Sequence, residues 1–248
     1  MKRFENKNIL VTGAGSGIGR AAALRIAAEG GRVLCTDINA AGIDQAVSDI
    51  AEASGSAEAM VFDISREGEA ERCVAKVREW GQLDAVVNMA GILRFANAHE
   101  TSLDVWQQII NVNLTGTFML CRAALPALIE SKGALVNAAS TASLNGLPWG
   151  VAYGASKGGV MALTRSIAVE YAKRGVRANC VCPGDIQTGM VDGLAFPEDA
   201  DFSLLNRITS LSGAKGPEVV AGVIAMLASD DGKHINGEEI RVDGGMLA

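Results

Sequence analysis

The sequence predicts an α/β fold: a mostly parallel, seven-stranded sheet with helices on both faces, in one domain over residues 1–248. Three observations predict it. Short apolar runs alternate with helical patterns along the whole chain, as strand–helix–strand units require. A glycine-rich turn, Thr12-Gly13-Ala14-Gly15-Ser16-Gly17-Ile18-Gly19, stands where the first strand gives way to the first helix. Small polar clusters recur just past the strand ends, where open α/β sheets bind ligands. With 248 residues, 49% of them hydrophobic, the chain can fill one sizeable core.

The elements follow in order. A strand over 8–12 leads to a helix over 18–29, a strand over 32–36 to a helix over 40–53, and a strand over 57–62 to a helix over 67–80. The strand over 84–88 precedes a long helix over 103–130, which Pro126 should bend or shorten. The strand over 134–139 precedes a helix over 151–172, and the strand over 177–182 precedes a helix over 217–229 with Pro217 in its first turn. A strand over 239–242 closes the pattern. Residues 189–212 form one long irregular stretch, the kind that serves as a lid or binding loop.

Composition excludes several functions. A net charge of −6 argues against a basic surface for nucleic acid. The cysteines at 35, 73, 121, 180 and 182 make no Cys-x-x-Cys knuckle, and His99 and His234 are the only histidines, so no metal site is expected. No segment reads as long and apolar enough to cross a bilayer, and the charged start lacks an apolar signal region. A cytoplasmic protein, bound to neither membrane nor nucleic acid, is expected.

The turn at 12–19 suits a nucleotide. Gly13, Gly17 and Gly19 let the backbone turn sharply and approach a pyrophosphate, Ser16 and Ile18 sit between them, and the helix start offers free N–H groups. A purely structural turn is the competing account, and strict Gly-x-Gly-x-x-Gly is not present. Asp37 ends the second strand, eighteen residues after Gly19, where a carboxylate accepts bonds from the adenosine ribose. It would repel a 2′-phosphate, and neither Ser16 nor Ile38 is basic, so the expected cofactor is NAD rather than NADP. An N-cap for the next helix is the alternative role for Asp37. Asp63-Ile64 and Asn88-Met89-Ala90-Gly91, past the third and fourth strands, make plausible walls of the same crevice.

Tyr153 and Lys157 lie four residues apart on a predicted helix, hence on one face, thirteen residues and more after Ser140. A charge about 4 Å away attracts by roughly 4 kcal/mol at an effective dielectric of about 20. That lowers a phenol of pKa about 10 by roughly three units, into the range of acid–base catalysis at neutral pH. A half-buried aromatic beside a solvated lysine is the bland alternative.

Taken together, the chain resembles the short-chain dehydrogenase/reductase family in its single-domain form. The resemblance runs from about residue 4 to the last residues. It rests on Thr12-Gly13…Gly17-x-Gly19, Asp63, Asn88-x-Ala90-Gly91, Asn113, Ser140, Tyr153-x-x-x-Lys157 and Pro183-Gly184…Thr188; Met89 stands where the family often has a second asparagine. The resemblance implies a Rossmann-like doubly wound fold and a set of roles. Tyr153 would move the proton, and Lys157 would hold the nicotinamide ribose and lower the tyrosine pKa. Ser140 would orient the substrate oxygen, and Asn113 would fix a relay water. Pro183, Gly184, Ile186 and Thr188 would cover the nicotinamide. The implied reaction is reversible oxidation of a secondary alcohol to a ketone with NAD. The resemblance also implies a homotetramer, with a dimer as the alternative.

The substrate pocket should be walled by residues 140–151 and 189–212. Trp149, four residues before Tyr153, is a candidate apolar wall, and the loop's Phe196, Phe202, Leu204 and Leu205 suggest an apolar or ring-shaped alcohol. The rival within the family is an NADPH-dependent 3-oxoacyl-carrier-protein reductase, which Asp37 disfavours. An S-adenosylmethionine methyltransferase or a non-catalytic nucleotide sensor would leave Ser140, Tyr153 and Lys157 without a purpose.

Overall fold

The computed structural model describes residues 2–190 and 192–248; Val191, inside the expected substrate loop, lies outside them. Seven strands pair in parallel throughout: β1 (Asn8–Thr12), β2 (Arg32–Asp37), β3 (Ser56–Val61), β4 (Ala85–Asn88), β5 (Ala134–Ala138), β6 (Arg177–Pro183) and β7 (Glu239–Val242). Their order is β3-β2-β1-β4-β5-β6-β7, so the winding reverses between β1 and β4. That reversal opens a crevice at the carboxyl ends of the strands.

The period of two sorts each strand between two cores. Ile9 and Val11, Val33 and Cys35, Ala85 and Val87 face one layer, where α1 (Gly17–Ala28), α2 (Ala40–Glu52) and α7 (Glu218–Ala228) pack. Leu10, Leu34, Val86 and Leu135 face the other, covered by α3 (Glu69–Arg78), α5 (Thr117–Ser131) and α6 (Val151–Tyr171). Both faces are thus buried, which is why the central strands are apolar without alternation.

The expected long helix is a composite. α4 (Leu103–Ile110) passes into one π-helical turn, Asn111–Gly116, and then into α5. Pro126 lies inside α5 and does not end it, since the helix runs to Ser131. Against the expectation that no segment could cross a bilayer, the 29-residue rod Leu103–Ser131 is long and apolar enough by length and composition. Half of its most apolar window is buried, because the rod packs against the sheet and α3. Periodicity over one sequence cannot tell a sheet-covering helix from a lipid-facing one.

Candidate active site

A cleft of about 1240 Å³ runs along the carboxyl ends of the strands. Drug-sized pockets fall at roughly 300–1,000 Å³, so this one has room for a dinucleotide and a second molecule. Of the residues singled out from sequence for catalysis or cofactor, all line it except Asn88 and Asn113; of those singled out for the substrate wall, Trp149, Phe196, Phe202, Leu204 and Leu205 do not.

The β1–α1 turn is built for close approach. Gly13 and Gly17 have positive φ, of 66° and 49°. A Cβ on Gly19 would lie 2.1 Å from the Gly13 carbonyl oxygen, so the first turn of α1 sits directly on the loop. Ser16 caps α1 with no side-chain bond to the helix, and Gly17, Ile18 and Gly19 of its first turn line the cleft. Thr12, fully buried, accepts the backbone N–H groups of Met89 and Ala90 on its hydroxyl, each at 3.1 Å. It thereby holds the β4 end against the β1 end across the switch point. The sequence names Thr12 only as the head of the loop, because this partner lies 77 residues away.

Asp37 accepts the Gly15 N–H at 3.1 Å and the Asn39 N–H at 3.0 Å. Asn39, not Asp37, caps α2, by accepting Gly42 N–H. The capping alternative for Asp37 therefore falls away. Asp63 accepts the Ser65 hydroxyl at 2.6 Å and pairs with Arg66 at 3.2 Å; the Ser65 hydroxyl above all holds its carboxyl below the usual range. Ile64 and Phe62 are buried yet form part of the cleft wall, as do Ala90 and Gly91. Asn88 turns away from the cleft. It donates to Asn137 Oδ1 at 2.7 Å, Asn137 donates to Thr164 Oγ1 at 2.9 Å, and this buried chain links β4, β5 and α6. Its Nδ2 is thus engaged inside the sheet, while its Oδ1 is buried with no hydrogen-bond partner among the described residues.

Ser140 follows β5 and starts a short 3₁₀ turn, its hydroxyl accepting Ala142 N–H at 3.1 Å. α6 delivers Tyr153 and Lys157 from one face, and both are almost fully buried. Lys157 Nζ donates to the Ala138 carbonyl at 2.7 Å and stands 5.7 Å from the centre of the tyrosine ring. Asn113, buried in the π turn, clamps Ile92 from both sides, accepting its N–H at 2.8 Å and donating to its carbonyl at 2.9 Å. The same amide donates to Ser156 Oγ at 3.0 Å, and Ser156 donates to the Tyr153 carbonyl at 2.7 Å. A Cβ on Gly91 would lie 3.3 Å from both Asn113 Oδ1 and Lys157 Nζ, so the two groups flank one point. Ser156 was not singled out from sequence; its place in this network comes from the π turn, which periodicity does not reveal.

Burial sets the electrostatics. It raises the Tyr153 pKa, with the Ser140 hydroxyl opposing, and it lowers that of Lys157 to about 8. The expectation of a phenol pulled down by some three units is not met. Both groups lose hydration, which is the largest effect on each, and the ammonium is engaged by the Ala138 carbonyl. At neutral pH the chain presents a protonated phenol beside a mostly charged lysine.

Trp149 joins an aromatic cluster with Phe95, Phe196 and Phe202, of which only Phe95 lines the cleft. Leu93, Phe95, Met190, Ile208 and Met246 give the cleft apolar lining. Among the described residues no His/Cys/Asp/Glu group is arranged to hold a metal.

Comparison with known proteins bears on this geometry. A family profile described as Enoyl-(Acyl carrier protein) reductase matches residues 13–247. The meso-2,3-butanediol dehydrogenase of Serratia marcescens is 40% identical over 248 residues, covering 99% of this chain and 96% of the relative. The 3-oxoacyl-(acyl-carrier-protein) reductase of Thermotoga maritima is 38% identical over 247 residues, covering 99% of each. Among solved structures, a short-chain type dehydrogenase/reductase from Mycobacterium marinum superposes with a TM-score of 0.91 at 29% identity, covering 99% of this chain and 97% of that one. A levodione reductase superposes at 0.89 with 32% identity, covering 98% of each. Sequence and architecture agree over nearly the full length, and the chain belongs to the short-chain dehydrogenase/reductase family of alcohol and ketone oxidoreductases.

Proposed function

We propose that the chain interconverts a secondary alcohol and a ketone with NAD(H), using Tyr153 as the proton-transfer group. The observation that carries this is the buried Ser140–Tyr153–Lys157 set on the wall of a cleft large enough for dinucleotide and substrate. The residues fit a dinucleotide: a loop that no side chain can enter at Gly19, an uncapped helix start, and a carboxylate at the end of β2. When bound, a nicotinamide dinucleotide supplies the hydride acceptor or donor.

The protein's own part is positional and protonic. Ser140 holds the substrate oxygen, and Tyr153, protonated at neutral pH, gives its proton as a carbonyl is reduced and takes one back in the oxidation. Lys157 anchors the ribose, and its charge offsets the developing phenolate. Asn113 and Ser156 fix the turn that carries Tyr153. The simplest test is a panel of secondary alcohols and ketones with each cofactor. No turnover of any member with NAD(H) or NADP(H) overturns the proposal.

Asp37 supports NAD over NADP, since a 2′-phosphate would meet its carboxylate. The 3-oxoacyl-carrier-protein reductase likeness keeps an NADPH enzyme as the second reading. Replacing Asp37 by Ser removes the charge, and the ratio of kcat/KM values should move toward NADPH by at least about tenfold. An unmoved ratio in steady-state kinetics counts against the role.

Lys157 also ties function to stability. Its folded pKa of about 8 lies below its ordinary 10.5. Between those values the unfolded chain holds the extra proton, so stability rises with pH through that window. Below pH 8 the full cost of burying the ammonium applies, roughly 3 kcal/mol for the whole shift. Denaturant unfolding of wild type and Lys157→Met across the window should show wild type gaining about that much on the variant as pH rises. A pH-independent difference contradicts the buried charge.

We place both cofactor and substrate functions in one domain. We further infer a homotetramer, with dimer as the alternative, supported by exposed apolar side chains such as Phe118 and Val169 on the outer helices. Light scattering decides it. Five buried, unbridged cysteines support a reducing, cytoplasmic setting.

A further inference from the structure

Three of the six phenylalanines and one of the three tryptophans meet at one point, although aromatics make up only 4% of the chain. Phe95 and Phe196 stack with centroids 4.6 Å apart and planes 16° from parallel. Trp149 meets Phe196 edge-on at 5.7 Å and Phe202 at 6.0 Å, and Phe196 meets Phe202 at 5.3 Å. Two hydrogen bonds reinforce the cluster: Ala96 N–H to the Trp149 carbonyl at 2.9 Å, and Asn97 Nδ2 to Asp199 Oδ1 at 2.9 Å.

The members come from three segments. Phe95 follows β4, Trp149 ends the segment after β5, and Phe196 and Phe202 follow β6. In the sheet β5 lies between β4 and β6. Contact from the β4 side to the β6 side therefore arches across the end of β5, where Ser140 stands and α6 begins. Trp149 holds φ at 59°, a left-handed backbone that a bulky residue rarely adopts. It lies next to Gly150, which precedes the first residue of α6. Strain of this kind persists only where its surroundings hold it in place, and the stack and the Ala96 bond do so here.

We propose that this aromatic clasp sets substrate specificity, restricting the site to compact secondary alcohols and ketones that carry no long acyl or carrier arm, with Trp149 as a positioning residue that locks the arch to the catalytic helix. The inference rests on the oxidoreductase reading and narrows it. A compact substrate fits beneath the closed arch, whereas a long arm must part Phe95 from Phe196. The segment through Phe202–Ile208 is then held shut by side-chain contacts, each worth a modest amount and collectively decisive.

The test compares wild type, Phe196→Ala, Phe196→Tyr and Trp149→Gly. Glycine is at home at positive φ, so Trp149→Gly loses the ring without adding backbone strain. The first measurement is kcat/KM with NADH over a homologous series of methyl ketones from short to long. Wild type is expected to fall at least about tenfold along the series. Phe196→Ala and Trp149→Gly should flatten that slope, and Phe196→Tyr should restore it, with NADH affinity unchanged throughout. The second measurement needs no turnover: the rate of limited trypsin cleavage at Arg207, expected to rise at least about tenfold in Phe196→Ala and Trp149→Gly. A flat series in wild type, or an unaltered slope in both variants, overturns the clasp. Should no form reduce any ketone, the oxidoreductase reading fails on its own, and cleavage rates equal to wild type still overturn the clasp.

Discussion

Tyr153→Phe is expected to lower kcat by about 10²–10⁴-fold while the Kd for NADH stays within about twofold. The substitution removes one hydroxyl from a side chain that is only 8% exposed, and the ring continues to fill its place. What disappears is the proton donor beside Ser140. Ser140, Lys157 and the glycine loop remain, so dinucleotide binding survives, as fluorescence titration of NADH can verify. Equal loss of binding and turnover in a folded variant contradicts the assignment. The raised pKa of Tyr153 adds a pH signature. Protonated phenol is the working form for ketone reduction, so that rate should fall as the phenol ionises in alkaline solution, and the phenylalanine variant should lack this limb.

Gly19→Ala should have an effect of similar size through packing. The added Cβ would lie 2.1 Å from Gly13 O, 2.5 Å from Gly13 C and 2.9 Å from Thr12 O. All three are backbone atoms, so no rotamer change relieves the clash, and loop and helix start must separate. Overpacking of this kind costs about 1–3 kcal/mol. The displaced loop would no longer present the helix N–H groups to a pyrophosphate, and the Kd for NAD should rise by at least about 10²-fold, with a lower Tm. Calorimetric titration and thermal unfolding measure both. An unchanged Kd would mean that the loop does not cradle the cofactor.

The glycine loop, the strand-end clusters and the Tyr153/Lys157 pair were legible because each is local. Four residues on a helix define one face whatever the rest of the chain does. The strands were legible because parallel strands buried on both faces are short apolar runs. The π turn at Asn111–Gly116 was not, since it changes the helix by one extra residue and leaves the apolar period nearly intact. Asn88 illustrates the limit for polar residues. It is the last residue of β4, and only the neighbouring strand decides that its Nδ2 bonds Asn137. Trp149 is similar: sequence put it near Tyr153, and only the fold sets it against Phe196 and Phe202 with a φ of 59°.

By itself the sequence determined the alternating α/β plan, the glycine-rich turn between β1 and α1 and the one-face placement of Tyr153 and Lys157, because these follow from residue type and short spacing. The tertiary structure alone decided which polar groups face the cleft and which are spent inside the sheet. It also decided that burial raises the Tyr153 pKa, and that three separate segments meet in the aromatic cluster of Phe95, Trp149, Phe196 and Phe202. The physical reason is the same for each. Hydration and side-chain contact depend on neighbours distant in the chain, and those neighbours are chosen by the strand order β3-β2-β1-β4-β5-β6-β7 rather than by any local pattern.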